Sequence, residues 1–179
     1  MNGINLEALS QARAAIAADR PAGITSYGLA MTWMGGVRMK AETTGMQIGT
    51  ERIARDFTWL VDEPNQLLGD ASAPTPQEFL MSGVGACIMV GFVVNAAVKG
   101  VELRSLKLRM SGSLDLAGFM NIGTGTQVKM QGIDYEIDAD CDADPALLQE
   151  IAQAAVEFSP NAMTVRNGIP VTGGLKTVA

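Results

Sequence analysis

Cysteine carries the chemistry available to this sequence. Cys87 and Cys141 are its two thiols, and the chain contains no histidine. The commonest general base and the commonest metal ligand are therefore absent, and so is every Ser-His or Cys-His nucleophile arrangement. The two cysteines stand too far apart for a Cys-x-x-Cys redox pair or a zinc-site spacing. What is left is chemistry at a single sulfur. A thiolate attacks electrophiles and is oxidised by peroxides, provided a neighbour holds it ionised and solvent can reach it. No metal and no bound cofactor are expected.

Cys87 needs a helix to position it. Thr75-Pro76-Gln77-Glu78 predicts a helix start, with Thr75 as N-cap, Pro76 in the first helical position and Glu78 closing a capping box. The helix is expected to run to Lys99 and stop at Gly100. From Phe79 to Val98 it is uncharged and long enough to span a bilayer, but Gly83, Gly85 and Gly91 interrupt it. A helix buried on nearly all sides is the expectation, and one small domain can hardly cover such a helix alone. Gly83, Cys87 and Gly91 recur every four residues and share one stripe. Each interior glycine costs about 1 kcal/mol against alanine. Close packing explains them, and so does an open approach to the Cys87 sulfur.

Helix geometry sorts the partners of that sulfur. Cys87 lies about three turns into the helix, too deep for the N-terminal dipole to do much. Glu78 falls on the opposite face. Gln77 lies about 15 Å away along the axis, within reach only if another copy of the helix lies alongside. Activation then needs a cation from elsewhere, and Arg38, next to the Gly35-Gly36 turn, is the leading candidate. With Lys40 and Glu42, it equally fits the polar face of a strand. Cys141 sits among Asp138, Asp140, Asp142 and Asp144, whose negative field disfavours a thiolate; it reads as structural.

The remaining pattern predicts the frame. Asn5 caps a first helix with Leu6, Leu9, Ala12 and Ile16 on one stripe, ended by Pro21 to Gly23. Alternation over Tyr27–Trp33 and Val37–Glu42 predicts a hairpin around Gly35-Gly36. Shorter alternations predict strands near Phe57–Val61, Leu106–Ser111 and Ile133–Asp140, with Gly118 to Gly125 as a connecting loop. Asp144-Pro145 opens a helix that Ser159-Pro160 closes, and Thr164–Val171 reads as a last strand. Hairpins in place of crossovers predict an α+β domain with mostly antiparallel strands. The 179 residues, 47% hydrophobic and 18% charged, are expected to form a soluble globular domain. A net charge of −6 with no basic tract argues against nucleic acid and anionic membranes as partners. Two cysteines and no visible signal peptide make a reducing cytoplasm the expected compartment.

Several stretches together resemble the OsmC/Ohr family of thiol-dependent hydroperoxide-reducing proteins. They are Pro76-Gln77-Glu78-Phe79-Leu80, Gly83-Val84-Gly85-Ala86-Cys87, Phe158-Ser159-Pro160 and Val165-Arg166-Asn167-Gly168-Ile169-Pro170-Val171. The resemblance implies an OsmC-like fold over residues 24–179, with 1–23 as an N-terminal helical extension. It implies an intertwined homodimer, antiparallel sheets wrapped around central helices, and a site at the subunit interface. Cys87 would be the peroxide-attacking cysteine and Arg38 the arginine that stabilises its thiolate; Phe79, Gly83, Gln77 and Ser159 would border the substrate pocket. Two positions depart from the family peroxidases: Gln77 stands where a glutamate orients the arginine, and Ser159 where a resolving cysteine is found. The expected activity is reduction of a small hydrophobic hydroperoxide, with an external thiol as reductant. The alternative is a non-catalytic binder of a small apolar ligand.

Overall fold

The computed structural model describes residues 1–177, and its chain divides into two compact units, Gly3–Ser82 and residue 83 onward together with Met1–Asn2. The first opens with helix α1 (Leu6–Ala18), capped as expected by Asn5, whose side chain accepts from the Ala8 amide at 3.0 Å. Strands β1 (Thr25–Trp33) and β2 (Met39–Ile48) then form the expected hairpin. Gly35 and Gly36 adopt φ of +102° and +57°, backbone that a side chain would disfavour, which is why glycine occupies this turn. Two short strands, β3 (Glu51–Ile53) and β4 (Thr58–Val61), pair antiparallel with β2, which is therefore central.

Register decides which side chains share a face. Trp33, Met39 and Val61 are aligned across three strands, as are Met31, Ala41 and Trp59. Ala41 and Val61 on this face are buried, and the Trp59 ring lies 6.3 Å from that of Phe79. The opposite face carries Lys40 and Glu42, paired at 2.8 Å. Along β1 the apolar face stays open: Tyr27, Leu29, Met31 and Trp33 are all exposed.

Helix α2 (Pro76–Val98) follows. In the second unit its Val84, Ile88, Phe92 and Ala96 repeat every four residues and form a core with Val101, Ile151, Ala155 and Val156. A second hairpin, β5 (Ser105–Ser113) and β6 (Gly132–Asp140), packs Leu106, Leu108, Met110, Ile137 and Ala139 onto that cluster. Its connection contains the short helix α3 (Leu116–Phe119). Outward, Arg104 bridges Asp140 and Asp142 at 2.6 and 2.8 Å, and Arg109 bridges Glu136 and Asp138. Exposed pairs of this kind contribute little stability. The unit closes with α4 (Pro145–Glu157) and α5 (Pro160–Asn167).

One expectation is corrected. Residues 164–171 form no strand: Ser159 accepts from the Ala162 amide at 3.2 Å and Pro160 takes the first helical position, so this pair starts α5 instead of merely ending α4. Helix α2 is covered only in part by its own chain. Val84, Gly85, Ile88, Phe92, Ala96 and Ala97 are buried, while Leu80, Val90 and Val98 are exposed.

Candidate functional site

The start of α2 is fixed as its sequence dictates. Thr75 Oγ1 accepts from the Glu78 amide at 3.2 Å, and Glu78 Oε2 accepts from the Thr75 amide at 2.7 Å. This reciprocal box occupies Glu78, so the residue has a capping role. Gln77 is half-buried in the same turn. Phe79, Ala73, Pro74, Glu78 and Ser82 line an open depression of about 500 Å³.

Further along α2, the glycine stripe meets the helices that follow it in sequence. The Gly83 carbonyl accepts from Asn161 Nδ2 at 2.8 Å. A Cβ on Gly91 would come within 3.2 Å of the Ala155 carbonyl oxygen and 3.3 Å of its Cα, so close packing does account for that glycine. Cys87 lies on the same stripe midway between these two contacts, which orients it toward the α4–α5 junction. Ser159 sits at that junction, 2% exposed, with its hydroxyl engaged in capping α5. Cys87 is a free, half-buried thiol. Cys141 is also free and packs against the core cluster at the end of β6.

Arg38 belongs to the first unit, immediately before β2. Its amide donates to the Gly35 carbonyl at 3.1 Å and its carbonyl accepts from the Met34 amide at 2.9 Å, closing the hairpin turn. Lys40 and Glu42 pair with each other, while Arg38 Nη1 turns to Asp70 Oδ2 at 3.4 Å. Asp70 stands on a loop knitted together by Asp62. This buried carboxylate accepts from the amides of Glu63, Asp70 and Ser72 and from the Ser72 hydroxyl at 2.7 Å. The Ser72 bonds above all hold Asp62 down to about 2. Its contribution to stability is complete above the ordinary aspartate value of 3.8 and is lost as the pH falls through about 2. Glu63 goes the other way: burial first, then the charges of Asp62 and Glu78, raises it, and its Oε2 is buried without a hydrogen-bond partner among the described residues.

Sequence reading located Cys87, Arg38, Gln77, Phe79, Gly83 and Ser159 but missed Asp62 and Asp70. The stripe brings Cys87, Gly83 and the Ser159 junction to one side of α2. Arg38, Gln77 and Phe79 lie in the other unit. An aspartate directly after a strand, followed by Gly69 and Ser72, was the available signal, because Asx and Ser side chains close local turns.

The sequence matches the OsmC-like protein family over residues 69–173. No curated protein matches it. Among solved structures it resembles an OsmC-like protein from Mycoplasma pneumoniae at 17% identity and TM-score 0.63, covering 80% of this chain and 89% of that one. An organic hydroperoxide resistance protein from Legionella pneumophila aligns at 19% identity and TM-score 0.51, covering 79% and 89%. Another protein of that name, from Elizabethkingia anophelis, aligns at 15% identity and TM-score 0.54, covering 80% and 89%. With a family match spanning more than half its length, around the very helix that carries Cys87, this chain belongs to the OsmC-like family.

Proposed function

We propose that this protein reduces organic hydroperoxides through Cys87, as a homodimer in which Arg38 of one copy serves the Cys87 sulfur of the other. The observation that carries the reading is the placement of Cys87: a free thiol, only half-buried, on a helix stripe flanked by glycines. A packing cysteine would be sealed in the core, as Ile88 beside it is at 1% exposure. Two structures similar in fold bear the name organic hydroperoxide resistance protein, which is consistent with this chemistry.

The reaction balances at one sulfur. The Cys87 thiolate attacks the terminal peroxide oxygen, an S–O bond forms and the O–O bond breaks. The alkoxide that leaves takes a proton from water and departs as the alcohol, while the sulfur becomes a sulfenic acid. Ser159 has no thiol to condense with it. A small external thiol therefore displaces water to form a mixed disulfide, and a second thiol releases Cys87 reduced. Such a cycle suits a reducing cytoplasm.

A second copy of the chain is the partner that fits the uncovered apolar surfaces. Tyr27 and Trp33 on β1 are 80% and 71% exposed, and Val90 on α2 is 64% exposed. Aromatic and aliphatic side chains aligned along one strand face in this way mark an association surface. The same apolar character favours a hydrophobic peroxide over hydrogen peroxide as substrate.

Intact-mass analysis after one equivalent of cumene hydroperoxide tests the reading. The native chain is expected to gain one oxygen, and Cys87→Ser none. A gain that persists in Cys87→Ser, or no gain in the native chain, would leave the protein as a non-catalytic binder of a small apolar ligand.

A further inference from the structure

We infer that Asp70 is the carboxylate that orients the Arg38 guanidinium, and that Asp62 sets the loop conformation presenting it. The inference rests on the proposed role of Arg38 and adds to it the residues that hold this side chain.

Among the described residues, Asp70 is the one acid in ion-pair contact with Arg38, at 3.4 Å. Three other acids near it in the chain are engaged elsewhere. Glu42 pairs with Lys40, and Glu78 caps α2. Asp62 spends its acceptors inside the loop. Gln77, an amide, has no charge to offer.

Asp70 is exposed, yet its backbone is not free. Its amide donates to the buried Asp62 carboxylate at 3.2 Å, and the Ala71 amide donates to the Glu63 carbonyl at 3.0 Å. On either side, Leu68 and Ala71 hold φ of +68° and +51°, a region that side-chain-bearing residues adopt only when their surroundings impose it. Between them, Gly69 lies against the Glu63 carbonyl so closely that any Cβ would overlap it. Strained backbone held by one buried carboxylate amounts to a fixed mount. Arg38 is fixed from its own side by the Gly35 and Met34 hydrogen bonds. The ion pair therefore joins two rigid backbones through one long side chain and restricts where its charge can lie. An exposed pair does little for folding, so its effect is on orientation.

The test uses the full-length chain and follows Cys87 oxidation by cumene hydroperoxide as a function of pH, beside the thermal unfolding midpoint. Asp70→Asn is expected to slow oxidation about threefold to tenfold near neutrality and to move the rising limb of the pH–rate profile upward, at tenfold per unit displaced. The unfolding midpoint should be unchanged. Asp70→Glu is expected to restore most of the rate, since it restores the charge. If Asp70→Asn matches the native rate while Arg38→Met is slow, Asp70 does not orient the arginine. If Asp70→Asn is faster than the native chain, the pair holds Arg38 away from its task, and the inference is overturned in sign. A native Cys87 no more reactive than free cysteine would instead remove the function on which both residues depend.

Discussion

Arg38→Met slows oxidation of Cys87 by an organic hydroperoxide about threefold to thirtyfold near pH 7, if a guanidinium holds that sulfur ionised, the upper bound being set where the thiol is fully ionised. A cation within about 4–6 Å stabilises the charged form of a titrating group by about one to three units, and each unit is tenfold in thiolate population below the midpoint. Methionine keeps the length and apolar stem of the side chain, so the change isolates the charge. Arg38 is partly exposed and pairs with Asp70 at 3.4 Å, so the variant should unfold close to the native temperature. Rates of alkylation and oxidation, followed by mass at Cys87, check this. Equal rates in the two proteins would remove Arg38 from the mechanism.

Phe92→Ala is expected to cost about 3–5 kcal/mol of stability and to lower the unfolding midpoint by roughly 6–20 °C. Phe92 is 2% exposed and stands midway along the α2 stripe, packed with Ile88, Ala96, Ile151 and Ala155 in the second unit. Removing the ring leaves a cavity that these neighbours fill only in part. Phe119, at the end of α3, is the control: it is 75% exposed, and Phe119→Ala should change stability by less than about 0.5 kcal/mol. Urea melts of both variants measure the difference. Similar losses from the two would mean that the stripe of residues 84, 88, 92 and 96 is not the core.

The contrast between these phenylalanines shows what a sequence of this kind discloses. Local signals were legible. Thr75 and Glu78 lie three residues apart and complete their capping box whatever the rest of the chain does. The β1–β2 hairpin follows from period-two alternation on both sides of Gly35-Gly36. The α5 helix was misread although its signal is local too. Ser159-Pro160 has the same form as Asp144-Pro145, an N-cap followed by proline, and both pairs open helices. The alternating Thr164 to Val171 outweighed that cap, because a helix of eight residues offers little apolar periodicity to set against it.

Other features needed tertiary structure. Asp62 reaches the amides of residues 70 and 72 only after the loop has closed, and no spacing rule connects Asp70 to Arg38 across thirty-two residues. The uniform apolarity of α2 suggested a helix buried on nearly all sides that one domain could hardly cover, and its own chain does leave Leu80, Val90 and Val98 exposed. Composition reports how much apolar surface a helix has. It does not report whether the covering groups belong to the same chain.

Whether Cys87 is a reactive thiol is tested most directly by the second-order rate constant for its oxidation by cumene hydroperoxide at pH 7, set beside that of a free cysteine. Ionising a thiol that is otherwise a few per cent thiolate gains at most about thirtyfold, and part of that gain is lost because a more acidic thiol is a weaker nucleophile. The expected rate for the native chain is about tenfold or more above free cysteine, with the whole excess gone in Cys87→Ser. A rate equal to that of free cysteine would contradict the proposed function and leave Cys87 a residue of the fold.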